Sequence, residues 1–269
     1  MDQTFTKLYQ EPGPLIEAVG ITKTYKDYGH MNTAVTDVSL KINAGDFVII
    51  FGPSPSGKTT LLAMLYGLEK PDIGEVLIKG EPYYEFSENE RNFIRSRKFG
   101  FVPQTPKWFK YFNVLDNVAL PLLILGEQES VAKQKAYDAL RYFGIEKYYN
   151  ARPLTLNFVD QQLASIARST INNPWLIFVD EPYTSLDIKS AEKIVAILQR
   201  INKEKGIALI VAANNPEYLK YSRIWFFIND GQLEDVTENK NPIKRLKEIV
   251  RIVEEENSNF KKHEKNFNI

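Results

Sequence analysis

The stretch Phe47-Val48-Ile49-Ile50-Phe51-Gly52-Pro53-Ser54-Pro55-Ser56-Gly57-Lys58-Thr59-Thr60 decides how the chain is read. Residues 52–59 match the spacing G-x-x-x-x-G-K-[ST] of a phosphate-binding loop. The apolar run 47–51 reads as a buried strand, and Thr60-Leu61-Leu62-Ala63-Met64-Leu65 reads as a helix leaving the loop. In that setting loop N–H groups and a helix N-terminus converge on the phosphates of a nucleotide. Lys58 is expected to reach the terminal phosphates and Thr59 to ligate Mg²⁺, with Gly52, Pro53, Ser54, Pro55, Ser56, Gly57 and Thr60 completing the cradle. One residue is out of place: Pro55 has no N–H to donate.

A second stretch supports this reading. Leu176-Ile177-Phe178-Val179-Asp180-Glu181 is an apolar strand ending in two carboxylates. In phosphate-loop ATPases a strand-end aspartate holds Mg²⁺, and an adjacent acid can activate the attacking water. A strand that merely ends in solvent explains the carboxylates, but not their occurrence in one chain with the loop.

Bulk properties exclude several classes. The 269 residues suffice for one α/β domain with a sizeable core. Lys+Arg 34 balances Asp+Glu 34, which gives no argument for nucleic acid as a partner. There is no cysteine, so thiol catalysis, disulfides and cysteine-bound zinc are excluded. The polar start Met1-Asp2-Gln3-Thr4 shows no leader. The longest apolar stretch, Val118 to Leu125, falls short of the roughly twenty residues a membrane span needs. A soluble cytoplasmic chain, free or docked to something, is expected.

Residues 15–50 read as strands with a turn at Asn43-Ala44-Gly45-Asp46. Short strands follow at 74–80 and 99–104, with a polar helix between them at Ser87–Arg97. Residues 113–170 look mostly helical, with a 3.6-residue period over Ser130–Phe143 and a further helix over Gln161–Ile171. Strand and helix alternation then returns through Leu176–Val179, Ile188–Glu204, Ile207–Ala212 and Ile224–Ile228. The fold class expected is α/β, with a β-rich N-terminal part and an inserted helical subdomain. From residue 239 an Asn241-Pro242 helix start carries the stripe Ile243, Leu246, Ile249, Val250 and Val253 before a charged tail. That stripe suits packing on the domain or docking to a partner.

The two motifs and the helical insertion between them resemble the nucleotide-binding domain of the ATP-binding cassette (ABC) family, a P-loop NTPase. The likeness runs from about Leu15 to Leu233. Within the family it is most similar to the branch of lipoprotein release, macrolide export and the cell-division ATPase, through Asn113-Val114-Leu115-Asp116-Asn117-Val118-Ala119-Leu120-Pro121-Leu122 and Pro71-Asp72-Ile73-Gly74-Glu75-Val76. The resemblance implies a cassette over 14–238, a helical subdomain near 105–171, and a C-terminal helix and tail over 239–269. It implies ATP and Mg²⁺ as cofactors. A membrane-embedded permease-type subunit and a second ABC ATPase chain are implied as partners, at the inner face of the cell membrane.

The resemblance also assigns roles. Tyr25 matches the aromatic that stacks on adenine, with Tyr28 a weaker candidate. Gln104 matches the glutamine that touches Mg²⁺ and the attacking water. Asp180 matches the Mg²⁺-side aspartate, Glu181 the general base, and Asp187 the loop that crosses the dimer interface. Trp108, Phe109, Tyr111 and Phe112 follow Gln104 closely and read as core or as a docking patch for a membrane partner's helix.

Three departures from the family stand out. Pro55 occupies a glycine position, and one lost charge-assisted hydrogen bond is worth about 1.5–3 kcal/mol. Where the family has Leu-Ser-Gly-Gly-Gln, this chain has Leu156-Asn157-Phe158-Val159-Asp160. Asn157 can cap a helix. Phe158 and Val159 add bulk at the phosphate approach, and Asp160 puts a negative charge in the first turn. Asn214 takes the place of the switch histidine, in Ala212-Ala213-Asn214-Asn215-Pro216-Glu217, and can donate a hydrogen bond but carry no proton. Neither histidine of the chain, His30 or His263, lies near it in sequence.

Two functions remain open at this point. One is an ATPase, slow or dependent on a second cassette, that drives or gates a membrane partner in export, lipoprotein transport or envelope regulation. The other is a nucleotide-sensing or structural subunit without turnover. A soluble cassette of DNA repair or translation fits poorly, since it would carry a second cassette or a long coiled coil.

Overall fold

The computed structural model describes residues 13–27, 30–183, 186–222, 224–238 and 251. The tail from 239, expected to hold an apolar helix stripe, lies outside the described residues apart from Arg251. So do Tyr28 and His263.

The described residues form two sheets. Strands β1 (Ile16–Asp27), β2 (His30–Ile42), β4 (Ile73–Ile78) and β5 (Glu81–Pro82) form an antiparallel sheet in the order β2-β1-β4-β5. Strands β3 (Phe47–Phe51), β6 (Phe99–Val102), β7 (Leu176–Asp180), β8 (Ala208–Ala213), β9 (Ile224–Asn229) and β10 (Gln232–Glu238) form the second, in the order β10-β9-β3-β8-β7-β6. Its members are parallel except β10, which closes one edge antiparallel to β9.

The central strands are apolar throughout because both of their faces are covered. On β3, Val48 and Ile50 face the core shared with the antiparallel sheet, while Ile49 and Phe51 face the core under the helical segment. The same alternation splits Leu176 and Phe178 from Ile177 and Val179 on β7, and Ile210 from Val211 on β8. Each such buried side chain contributes roughly 1.5–3 kcal/mol, and an acid at fully buried Ile50 would lose that and add the cost of an unpaired buried charge.

Among the described residues the sheets are joined by helices α1 (Lys58–Tyr66), α2 (Glu88–Lys98), α3 (Val114–Ile124), α4 (Glu129–Tyr142), α5 (Phe158–Thr170) and α6 (Ile188–Lys205). Local signals set several of their ends. Ser87 and Glu90 form a capping box at the start of α2. Asn113 accepts from the Asp116 N–H at 2.7 Å and starts α3. Helix α5 begins at Phe158, earlier than the apolar periodicity alone indicates, because Asn157 caps it. The segment α3–α5 inserts between β6 and β7, which leaves the ends of β3, β7 and β8 side by side.

Candidate functional site

Residues 52–57 leave the end of β3 between β8 and β9, and α1 begins at Lys58. Two glycines make the tight path possible. A Cβ on Gly52 would lie 2.0 Å from the Ile228 carbonyl oxygen, and one on Gly57 2.1 Å from that of Ala34. Gly57 also adopts φ 93°, a left-handed conformation. The turn after β9 buttresses the loop: Gly231 donates to the Ser56 carbonyl at 3.2 Å, and Thr36 donates to the Gly231 carbonyl at 2.8 Å. Sequence reading missed Gly231, although Asn229-Asp230-Gly231 carries a turn signal. The Ser54–Pro55 peptide is cis.

The start of α1 is open to an anion. Gly57 offers no side-chain cap, and no acid sits in the first turn. The N–H groups there have no intrahelical partner, and the helix dipole favours negative charge at that point. Lys58 is almost fully buried, at 4% exposure. Its ammonium donates to the carbonyls of Gly52 at 2.9 Å and Pro53 at 2.7 Å, and pairs with Glu181 Oε1 at 3.5 Å. Burial pushes its pKa below the usual lysine value, opposed by Glu181 and then Asp180. A terminal phosphate would offer this cation a charged acceptor in place of two neutral carbonyls.

Beside it, Thr59 Oγ1 donates to the Asp180 carboxylate, 3.2 and 3.3 Å from its two oxygens. Burial pushes the Asp180 pKa above the usual carboxylate value, partly offset by the Thr59 hydrogen bond. A hydroxyl and a carboxylate in contact form a hard oxygen pair suited to Mg²⁺. Among the described residues no group of three His, Cys, Asp or Glu is placed to hold a metal, so phosphate and water oxygens would have to complete the shell.

Glu181 sits just past β7 with φ 41°, in the left-handed region. That conformation costs a glutamate about 1–3 kcal/mol and persists where the surroundings over-determine it. Its N–H donates to the Ala212 carbonyl at 3.2 Å, and its Oε2 accepts from Asn214 Nδ2 at 3.1 Å. Both carboxylate oxygens are therefore engaged, one by Lys58 and one by Asn214.

Gln104 follows β6 and is exposed. Its carbonyl accepts from Gln162 Nε2 at 2.8 Å, and Gln162 is fully buried in α5. Sequence reading missed that Gln162 holds the Gln104 backbone.

The start of α5 is the opposite of the start of α1. Asn157 Oδ1 accepts from the Asp160 N–H at 2.9 Å, and Asn157 Nδ2 donates to Asp160 Oδ2, also at 2.9 Å. Phe158 and Val159 are half-buried, and Val159 packs against the core. This helix start is capped and neutralised by its own side chains. Asp187 caps α6, accepting from the Ser190 N–H at 3.0 Å and the Ser190 hydroxyl at 2.6 Å, which hold its carboxyl below the usual range. Tyr25 lies on β1, partly exposed, with the Lys23 ammonium 5.6 Å from its ring centroid.

The aromatic cluster after Gln104 divides. Trp108 packs on the core, donates to Gln161 Oε1 at 3.0 Å and lies under the Arg168 guanidinium. Phe109, Tyr111 and Phe112 stay exposed, Tyr111 by 92%. Buried Asn117 bonds the backbone of Phe109 and Phe112, and Arg152 bonds the Tyr111 carbonyl, so the exposed rings stand on a fixed loop.

A phosphate loop, a hydroxyl–carboxylate pair and a carboxylate beyond it, set at the ends of neighbouring parallel strands, define a P-loop nucleotide-binding site. Comparison with known proteins agrees. The ABC transporter family profile matches residues 35–184. The lipoprotein-releasing system ATP-binding protein LolD of Wigglesworthia glossinidia brevipalpis is 35% identical over 81% of this chain and 96% of its own length. The macrolide export ATP-binding/permease protein MacB of Syntrophobacter fumaroxidans is 34% identical over 82% of this chain and 31% of its own length. A dimeric post-hydrolysis structure of the ATP-binding cassette MJ0796 bound to ADP and Pi superposes with a TM-score of 0.78, at 32% identity, covering 84% of this chain and 99% of that one. The chain belongs to the ABC transporter family, as an ATP-binding subunit of the P-loop ATPase class.

Proposed function

We propose that the chain binds Mg-ATP on residues 52–60 and hydrolyses it, as one of two facing cassettes that drive or gate a membrane-embedded permease-type partner in export, lipoprotein transport or cell-envelope regulation. The observation that carries this reading is the convergence of Lys58, Thr59, Asp180, Glu181 and Asn214 through direct contacts at the ends of β3, β7 and β8. In this reading Tyr25 stacks on adenine and the loop N–H groups hold the phosphates. Mg²⁺, when bound, neutralises charge on the phosphate oxygens, and Thr59, Asp180 and Gln104 would hold it. Drawing Lys58 onto phosphate frees one oxygen of Glu181 to take a proton from the attacking water, while Asn214 keeps hold of the other. Transition-state charge is met by fixed donors rather than by water.

The second cassette is supported by the dimeric assembly of MJ0796. In such a dimer Asp187 and the 157–160 segment would face the opposite nucleotide. The self-capped start of α5 makes it a poor phosphate ligand, so we place the better site between this chain's phosphate loop and an intact signature on a different partner chain. The exposed rings of Phe109, Tyr111 and Phe112 suit docking of the membrane subunit, and MacB unites ATP-binding and permease parts under one name. Among the described residues no helix is long and apolar enough to cross a membrane. A peripheral position at the inner membrane face, with 14–238 as the cassette and 105–171 as its helical part, follows from the same reading.

The alternative, a nucleotide sensor without turnover, makes a different prediction in one experiment. Calorimetry with Mg-ATP and phosphate release are measured on the wild type and on Glu181→Gln. Binding in both, with release only in the wild type, is the expected result. Binding without release from the wild type favours the sensor, and absence of binding at millimolar Mg-ATP overturns the ATPase reading in favour of a structural subunit.

A further inference from the structure

Two tyrosines lie against each other on the segments that follow Glu181 and Asn214. Tyr183 is two residues beyond Glu181, and its side chain is buried. Tyr218 lies in the 3-10 turn Pro216–Tyr221, four residues beyond Asn214. Their ring centroids are 3.8 Å apart with 30° between the planes. The backbone beside each ring is held locally: the Leu186 N–H donates to the Tyr183 carbonyl at 3.0 Å, and the Tyr218 N–H donates to the Asn215 carbonyl at 3.3 Å while the Asn215 side chain caps the 3-10 turn.

Residues 181–183 and 214–218 therefore make a closed circuit. The sheet joins them at Glu181 N–H to Ala212 carbonyl, the side chains of Asn214 and Glu181 join them in the middle, and the ring pair joins them at the far end. We propose that Tyr183 and Tyr218 are positioning residues for ATP hydrolysis: their ring contact fixes the two loops so that Asn214 meets Glu181 and the base keeps its left-handed backbone conformation. The proposal rests on the reading of Glu181 as the base.

The ring contact, rather than the hydroxyls, performs this role. The Tyr183 hydroxyl is buried without a hydrogen-bond partner among the described residues, so the ring contact is what those residues offer to hold it. Burial, with Tyr218 and Glu181 nearby, raises its pKa well above the usual tyrosine value, so the ring stays neutral and contributes shape rather than charge. Broad aromatic contact of this kind restrains two loops without bringing a titrating group to the base.

The test compares the full-length wild type with Tyr218→Leu, which keeps apolar bulk but loses the ring contact, and with Tyr183→Phe and Tyr218→Phe, which keep it. Steady-state kcat and KM for Mg-ATP are measured, together with hydrogen exchange at the Glu181 amide. Tyr218→Leu is expected to lower kcat by about tenfold to a hundredfold with KM within about twofold, because a misplaced base costs chemistry rather than binding. Exchange at Glu181 is expected to quicken in the same variant. Both phenylalanine variants are expected to match the wild type in all three readouts. A Tyr218→Leu chain with unchanged exchange overturns the proposal, as does a phenylalanine variant that loses as much kcat as the leucine one. Should the wild type release no phosphate, the reading of Glu181 fails, and the exchange comparison still decides the clasp: no quickening in Tyr218→Leu refutes it.

Discussion

Asn214 Nδ2 donates to Glu181 Oε2 across 3.1 Å, so a neutral amide orients the acid beside the phosphate loop. An amide cannot take up a proton, so this contact brings no titrating group to the acid. Asn214→Ala is expected to lower kcat by about 10²-fold. Asn214→His is expected to add a limb to the pH–rate profile at about pH 6.5, where histidine titrates, and the wild-type profile is expected to lack that limb. Steady-state ATPase assays between about pH 5.5 and pH 8 check both.

Pro55 withholds one N–H from a loop whose function is to donate them. Pro55→Gly is expected to tighten Mg-ATP binding by about tenfold to a hundredfold, the worth of one charge-assisted hydrogen bond. Isothermal calorimetry reads it directly. Equal affinity in the two proteins would mean that another loop N–H already serves the same phosphate oxygen.

Asn157 and Asp160 satisfy the start of α5 from within. Asn157→Ala is expected to cost about 1 kcal/mol, or about 2–4 °C in Tm. Asp160→Asn removes the negative charge from the first turn, and is expected to raise ATP turnover of the self-associated chain by about two- to fivefold. Its Mg-ATP affinity measured under monomeric conditions should not change, because the helix start serves the opposite site. A change in monomer affinity would place α5 beside its own phosphate loop instead.

Asp180 has a raised pKa from burial. Its native state therefore holds a proton that the unfolded state has lost, over a pH window opening at the ordinary aspartate value of 3.8. Stability from this group falls as pH rises through that window. Asp180→Asn, neutral throughout, is expected to have a higher Tm than the nucleotide-free wild type at about pH 7, with the difference shrinking as the pH is lowered towards about 4, where both states of the wild type are protonated. Thermal melts across that range test it. The same substitution is expected to weaken Mg²⁺-dependent ATP binding, so the gain in Tm and the loss in binding go together.

Much of the fold was legible because its determinants are local in sequence. The apolar run 47–51, the G-x-x-x-x-G-K-T spacing and the caps at Ser87, Asn113 and Asn157 act over a few residues each. The self-capped start of α5 could be read for the same reason, since Asn157 and Asp160 are three residues apart. Residues that act across long separations were not legible. Gln162 holds the carbonyl of Gln104, and Gly231 supports Ser56, through contacts that no local pattern announces. The aromatic run 108–112 was ambiguous between core and surface. Only the packing of Trp108 on the core, with Asn117 under the exposed rings, separates its two parts.

The sequence alone determined that this chain carries the spacing of a nucleotide-phosphate loop and an acidic strand end, because each is written in neighbouring residues; the departures at Pro55, 157–160 and Asn214 are what the resemblance to the ABC family implies. The tertiary structure decided how those pieces act on one another. Parallel pairing of β3, β8 and β7 brings Lys58, Asn214 and Glu181 together across more than a hundred residues of chain, and burial then sets the charge balance among them. Whether a helix start is open, as at Lys58, or closed, as at Phe158, is a matter of one side chain's reach. Which acid a lysine meets is a matter of how strands are ordered in a sheet, and periodicity carries no record of that order.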